Sequence, residues 1–160
     1  MPKIILLCGK ICSGKSFYTA QLLKEHPAVV FNTDELLFSI GLSELGERHD
    51  EVVARLKEYY LRKAEACIAC GADVILDYGF WTRAERKEVS GRLAGKGIPF
   101  EWHYIDISPE RWRRNIEKRN ALVLEGKADA YYLDEGLMGK LERLFEAPER
   151  DEIDVWHTNE

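Results

Sequence analysis

The sequence predicts an α/β fold of three layers around a mostly parallel sheet. Two observations carry this. Short apolar runs alternate with segments of helical period along the whole chain, and strands separated by helices pair in parallel through right-handed crossovers. In addition, the first apolar run leads straight into Gly9-Lys10-Ile11-Cys12-Ser13-Gly14-Lys15-Ser16. The spacing glycine, four residues, Gly-Lys-Ser is that of a loop joining a buried strand to a helix around a phosphate group. The 160 residues fit one domain, 1–160, with no composition shift, repeat or low-complexity stretch to divide them.

Taken in order, Ile4–Cys8 is continuously apolar, as expected of a strand buried on both faces. Lys15 to about Glu25 reads as a helix ended by His26-Pro27. Ala28–Phe31 is a second short strand, and a helix begins near Asp34 and is interrupted at Gly41. From Glu51 to about Cys70, Val52, Leu56, Tyr59, Tyr60, Ala66 and Cys67 fall at helical spacing, and Gly71 follows as a helix stop. Asp73–Leu76 is a third strand, ending in Asp77.

Thr82 and Glu85 form a capping box for a helix running to about Gly95. Phe100–Ile107 alternates as a strand near a sheet edge does. Ser108-Pro109-Glu110 opens the next helix with a cap, a proline at the first position and an acid in the first turn. A further helix over roughly Leu133–Glu146 and a last strand over Ile153–His157 complete the pattern.

Composition excludes several functional classes. With 46% hydrophobic and 32% charged residues the chain has material for a core and does not read as disordered. Its net charge of −5 argues against gripping a long nucleic acid; the arginines gather between Arg111 and Arg119, which suits one bound polyphosphate or at most a short nucleic-acid end. No stretch approaches the roughly 20 apolar residues of a membrane span. Four cysteines without a secretory leader point to the cytoplasm. Cys67 and Cys70 lie on an apolar stripe with no histidine or second pair to complete a zinc set, so they read as buried reduced thiols. The four histidines show no ligand spacing.

In the phosphate loop Gly9 and Gly14 allow close backbone approach, amide groups and a helix N-terminus face the anion, Lys15 reaches the β- and γ-phosphates, and Ser16 holds Mg²⁺. Gly9, Lys10, Cys12, Ser13, Gly14, Lys15, Ser16 and Phe17 are the expected nucleotide-binding set. Cys12 is a candidate for oxidation. Asp34, just after the second strand, either accepts a proton from an attacking hydroxyl or caps the following helix. Asp77 has the general form of a Walker B carboxylate, orienting Mg²⁺ or touching an acceptor. Tyr78-Gly79-Phe80-Trp81 either walls an acceptor pocket or belongs to the core. Arg111, Arg113, Arg114 and Arg119 supply guanidinium planes able to stabilise developing phosphoryl charge.

This combination resembles the AAA-type small P-loop kinases grouped with polynucleotide 5′-kinase, chloramphenicol phosphotransferase and the zeta toxins. The residues that carry it are Gly9–Ser16, Asn32–Leu36, Val74–Arg86, Tyr104–Asp106, Arg111–Asn120, Phe145–Pro148 and Asp151-Glu152, so it covers nearly the whole chain. The resemblance implies five parallel strands, a helical lid over about 111–130, and ATP as phosphoryl donor. It makes Lys15 and Ser16 the nucleotide and Mg²⁺ residues, Asp34 the general base, Arg114 and Arg119 the lid arginines, and puts Pro148 near the adenine. Two positions depart from the pattern. Leu37 stands where polynucleotide kinases carry an arginine, and Asn115 stands where many relatives have an arginine four residues before the lid arginine. The expectation is therefore a cytoplasmic kinase moving the γ-phosphate of ATP to a hydroxyl of an unidentified small acceptor. A polynucleotide 5′-hydroxyl kinase and a nucleotide-dependent switch are the alternatives.

Overall fold

The first strand, β1 (Ile4–Cys8), has no polar side chain, and it takes the centre of the sheet. All five of its residues are buried: Ile4, Leu6 and Cys8 enter one core, Ile5 and Leu7 the other. A strand with two apolar faces needs a helical layer on each. The computed structural model, which describes residues 1–160, supplies them. The chain continues through α1 (Lys15–Glu25), β2 (Val29–Phe31), α2 (Thr33–Ser39), α3 (His49–Ala69), β3 (Val74–Gly79) and α4 (Arg83–Gly95). It then forms β4 (Phe100–Ile107), α5 (Pro109–Leu124), α6 (Glu135–Leu144) and β5 (Val155–Asn159). The five strands are all parallel, in the order β2-β3-β1-β4-β5.

Each face has its own packing. Ile4, Leu6, Val74, Leu76, Trp102 and Tyr104 meet Leu61 and Ala64 of α3 and Leu93 of α4. On the other face Ile5, Leu7 and Ile75 pack under Tyr18 and Leu22 of α1. A third cluster, Ile107, Trp112, Ile116, Leu133 and Leu141, docks α5 and α6 at the C-terminal end of the sheet. The α3–α4 layer is also laced by ions: Arg92 reaches Glu58 and Glu65, Lys96 reaches Glu65, and Lys57 reaches Glu85.

The ordering of the strands places the ligand crevice. From β1 the chain moves outward to β2, returns to fill the gap with β3, then crosses to β4 on the other side. Loops after neighbouring strands on either side of such a reversal diverge and leave a crevice at the carboxyl ends. The loop after β1, the end of β3 and the start of α2 all open there.

Several boundaries differ from the sequence reading. β3 continues through Asp77 to Gly79, because Asp77 is buried and bonded to Asn32 and Gly79 still pairs with Cys8. α2 begins at Thr33, two residues ahead of Glu35, since Asn32 and not Asp34 is its cap: Asn32 Oδ1 accepts from the Glu35 amide at 3.0 Å. Leu133 precedes α6 as a buried anchor, and Asp134 caps that helix. β4 is one strand in from the edge, covered by β5, which sits two residues later than expected. Cys70 is exposed, and Cys67 only half-buried, so the pair is not a buried one; all four cysteines are free thiols. No helix is long and apolar enough to cross a membrane.

Three carboxylates lock sheet and helices. The Lys3 ammonium and His103 hold Glu101 below its ordinary value of 4.5. Burial alone would raise Glu65, but Lys96 and Arg92 outweigh it; burial would likewise raise Glu152, but the Glu149 amide and Arg86 lower it. A carboxylate depressed by folding contributes stability that is full above its unfolded value and is lost as the pH falls through its folded value. Thermal unfolding should therefore give a midpoint that is flat from about pH 7 to about pH 5 and falls steeply below about pH 4.5.

Candidate active site

The loop after β1 is held by its carbonyls. Trp112 Nε1 donates to the Ile11 carbonyl at 2.7 Å, Asn115 Nδ2 to that of Cys12 at 2.9 Å, and Asn159 Nδ2 to that of Ser13 at 2.8 Å. Lys15 Nζ donates to the carbonyls of Gly9 (3.0 Å) and Lys10 (2.8 Å). Every carbonyl from Gly9 to Ser13 is thus satisfied by a side chain, as buried backbone requires. The amides at the start of α1 have no intrahelical acceptor and are left for an anion.

The backbone is bent to suit. Cys12 adopts φ 60° and Gly14 φ 101°. A Cβ on Gly14 would lie 2.6 Å from Asn159 Nδ2, and one on Gly9 would lie 2.8 Å from Ser13 Oγ and 3.0 Å from the Ile105 carbonyl. Two polar atoms at the loop are buried without a partner, Ser13 Oγ and Arg119 Nε. A cradle that closes on any Cβ, an unpaired hydroxyl and an unpaired guanidinium N–H together fit a polyphosphate.

Charge is concentrated beneath it. Burial pushes the Lys15 ammonium below its ordinary value, opposed by the charges of Asp77, Cys8, Cys12 and Asp34. Burial raises the Asp77 carboxyl, opposed by Lys15 and by the hydrogen bond from Asn32 Nδ2 at 3.1 Å. Asn32 therefore does two jobs, capping α2 with its oxygen and steadying Asp77 with its nitrogen. Asp34 sits half-buried in the first turn of α2, its carboxylate not spent on a cap.

A cleft of about 1280 Å³ opens from this point. Lys15, Ser16, Asp34, Asp77 and Arg119 line one end, and α3, α4 and the segment joining α5 to α6 wall the rest. Tyr78, Phe80 and Trp81 line it as well, while Phe80 is also part of the main core, so the aromatic run serves both ends.

The structure separates the four arginines of α5. Trp112, Asn115, Ile116 and Arg119 share the inward face of α5, whereas Arg111, Arg113 and Arg114 are exposed. Arg119 Nη1 lies 3.2 Å from Cys12 Sγ. Asn115 faces the loop and Arg114, expected as a lid arginine, does not, because helical phase turns Arg114 about 100° away from Asn115. Arg111 instead reaches the Glu160 carbonyl and Asn115. Lys10 lies over the Trp112 ring at 4.4 Å, and Phe17 is 69% exposed on α1. Pro148 is buried and does not line the cleft; the Glu146–Glu152 segment around it holds the start of α4 through Arg83 and Arg86.

Three of the residues that shape the loop, Trp112, Asn115 and Asn159, carry no role in the sequence reading, where Asn115 figures only as a departure from the family pattern. The spacing Trp112, Asn115, Arg119 marks one helix face and could have revealed the first two. Asn159 lies 146 positions from Ser13 and has no local signature.

Residues 4–137 match the model of a family described as an AAA domain. The chain belongs to this AAA domain family. Solved structures agree on the fold. The chain is similar to the Mycobacterium tuberculosis APS kinase CysC in complex with AMPPNP and APS (TM-score 0.66, 19% identity, 99% of this chain and 89% of that one). It is also similar to Chaetomium thermophilum Kti12 in complex with ADP-AlF3 (0.67, 14%, 98% and 88%) and to a gluconokinase from Sinorhizobium meliloti 1021 (0.61, 12%, 98% and 81%). No curated protein matches. The AAA domain therefore has the fold of the small P-loop kinases.

Two measurements probe this geometry. Gly14→Ala forces a side chain into left-handed backbone and against Asn159, so ATP affinity measured by calorimetry should fall roughly 5- to 150-fold, given a strain of about 1–3 kcal/mol. Arg119→Ala should lower turnover roughly 10²-fold or more, while Arg114→Ala, on the outer face, should change it less than about twofold.

Proposed function

We propose that this protein is an ATP-dependent phosphotransferase that moves the γ-phosphoryl group to a hydroxyl of a small molecule. The observation that carries the reading is that Lys15 and Asp34 open onto one continuous cleft, whose volume extends well beyond the phosphate loop. A site built only to bind nucleotide has no use for a free carboxylate facing a second chamber.

In this reading the loop amides, Gly9, Ser13, Gly14, Lys15 and Ser16 bind the nucleotide phosphates, and Ser16 with Asp77 would hold Mg²⁺. When bound, Mg²⁺ neutralises phosphate charge. Asp34 accepts the proton of the acceptor hydroxyl, Arg119 places its guanidinium against the phosphoryl oxygens, and α5 and its following segment exclude water. Catalysis is mostly positioning and charge stabilisation, as phosphoryl transfer requires. The fold shared with APS kinase and gluconokinase supports the reaction class.

A polynucleotide end as acceptor is disfavoured by Leu37. That position, which carries an arginine in the polynucleotide kinases, is only 1% exposed and belongs to the packing of α2, so it has no reach to a nucleotide phosphate.

Two variants test the proposal. Lys15→Ala should weaken ATP binding roughly 10²-fold. Asp34→Asn should leave ATP binding intact and lower γ-phosphoryl transfer about 10²–10⁴-fold, the usual worth of a positioned general base. If Asp34→Asn turns over normally while Lys15→Ala abolishes binding, the chain is a nucleotide-dependent switch and the kinase reading is wrong.

A further inference from the structure

The half of the cleft beyond the phosphate loop carries more negative charge than the protein itself neutralises. Its cations are largely spent. Lys57 reaches Glu85 at 2.9 Å, and Arg92 reaches Glu58 and Glu65 at 2.8 Å each. Lys15 is bound to the loop carbonyls, and Arg119 lies against Cys12. Among the lysines and arginines of the lining, that leaves Lys140, exposed on α6. Against it stand Asp34, Glu44, Asp50 and Glu88, which line the same cleft and make no ion pair with any side chain.

These acids are not one solvated helix face. Asp34 is in the first turn of α2, Glu44 in the connection from α2 to α3, Asp50 in the first turn of α3, and Glu88 on α4. Asp50 lies two turns before Lys57, and Glu88 one turn beyond Glu85. The Lys57–Glu85 bridge therefore fixes α3 and α4 against each other where both carboxylates line the cleft. Glu44, Asp50 and Glu88 are exposed, so each carboxylate is open to a ligand.

The walls between them strengthen the effect. Val53, Val89 and Leu137, all half-buried, line the same space. A cleft with apolar walls and charge of one sign concentrates its field and draws in the opposite charge. A carboxylate or phosphate on the acceptor would meet repulsion, with no unpaired guanidinium fork to receive it. Lys15 and Asp34 set where the acceptor reacts, and the surplus acids set the charge it carries.

We infer that the acceptor is a small alcohol bearing a protonated amine, of amino-sugar or amino-alcohol type, whose ammonium is balanced by the carboxylates of Glu44, Asp50 and Glu88 while Asp34 faces the hydroxyl to be phosphorylated. This rests on the kinase reading above. The amine keeps its proton and takes no part in the bond changes. The acceptor oxygen forms a bond to the γ-phosphorus as the bond from that phosphorus to the bridging oxygen breaks. ADP leaves with the electron pair, and the hydroxyl proton passes to Asp34. Glu44, Asp50 and Glu88 are specificity-determining residues here. One exposed ion pair contributes about fivefold at most, so two or three acting together give about tenfold.

The test is ADP release with ATP and Mg²⁺ on matched trios differing in one charge: glucose, glucosamine and gluconate; glycerol, serinol and glycerate. The amine member of at least one trio should be preferred about tenfold or more in kcat/KM over both its partners, and the preference should shrink as salt is added. Replacing Glu44→Gln, Asp50→Asn and Glu88→Gln together should raise the KM of that amine about tenfold and leave the KM for ATP within about twofold. A control with Glu25→Gln, Glu117→Gln and Glu142→Gln removes the same charge from exposed positions off the cleft, and should leave the amine KM within about twofold. Preference for the neutral or carboxylate member, an amine KM unmoved in the cleft variant or moved equally in the control, or no release above that with water alone overturns the inference. The kinase reading is judged separately: residual ATP hydrolysis that still falls in Asp34→Asn keeps it, and hydrolysis indifferent to Asp34 removes it as well.

Discussion

The site depends on where one loop sends its carbonyl groups. A phosphate loop works only if its amides turn toward the ligand, and a peptide chain that turns its amides one way turns many of its carbonyls the other. In a buried setting those carbonyls need donors. Here they find them in Trp112 and Asn115 of α5, Asn159 of β5 and the ammonium of Lys15. The loop is thus held by elements far apart in the chain, and its strained residues, Cys12 at φ 60° and Gly14 at φ 101°, persist because their surroundings over-determine them.

The same contacts give α5 its geometry. Because Trp112 and Asn115 are tied to the loop, the face of α5 that carries them is fixed, and Arg119, one turn further on, is aimed at Cys12 and the phosphate cradle. Arg114 is sent outward by the same phase. On the opposite side, Asn32 ties the start of α2 to Asp77, so the two acidic groups of the site move with β2 and β3 as one unit. The phosphate loop and the start of α2 meet at the sheet's reversal point, where the fold leaves room for a ligand.

Much of this was legible in the sequence where the signal is local. The loop motif, the Thr82 cap, and the Ser108-Pro109-Glu110 start each place an element to the residue, because cap chemistry and proline geometry act within one turn. Signals that depend on distant partners were not legible. Asp77 ends no strand because burial against Asn32 lets β3 continue, and β5 is set by pairing with β4 and not by its own apolar pattern. Asp34 reads in the sequence as either a proton acceptor or a cap, since aspartate caps well; asparagine two residues earlier takes the cap and leaves the Asp34 carboxylate without that role. The choice between Asn115 and Arg114 turned on helical phase. Tyr131 had no motif at all; its place on the cleft wall comes from folding the α5–α6 connection back onto Phe38 and His49.

The most direct measurement of the central claim is a crystal structure with Mg²⁺ and a non-hydrolysable ATP analogue. The account predicts the γ-phosphate between Lys15 Nζ and the Asp34 carboxylate, with Ser13 Oγ and Arg119 Nε no longer unpaired and the cleft toward α3 and α4 open beyond it. A γ-phosphate turned to solvent, or an Asp34 carboxylate with no path to it through the cleft, would contradict the account.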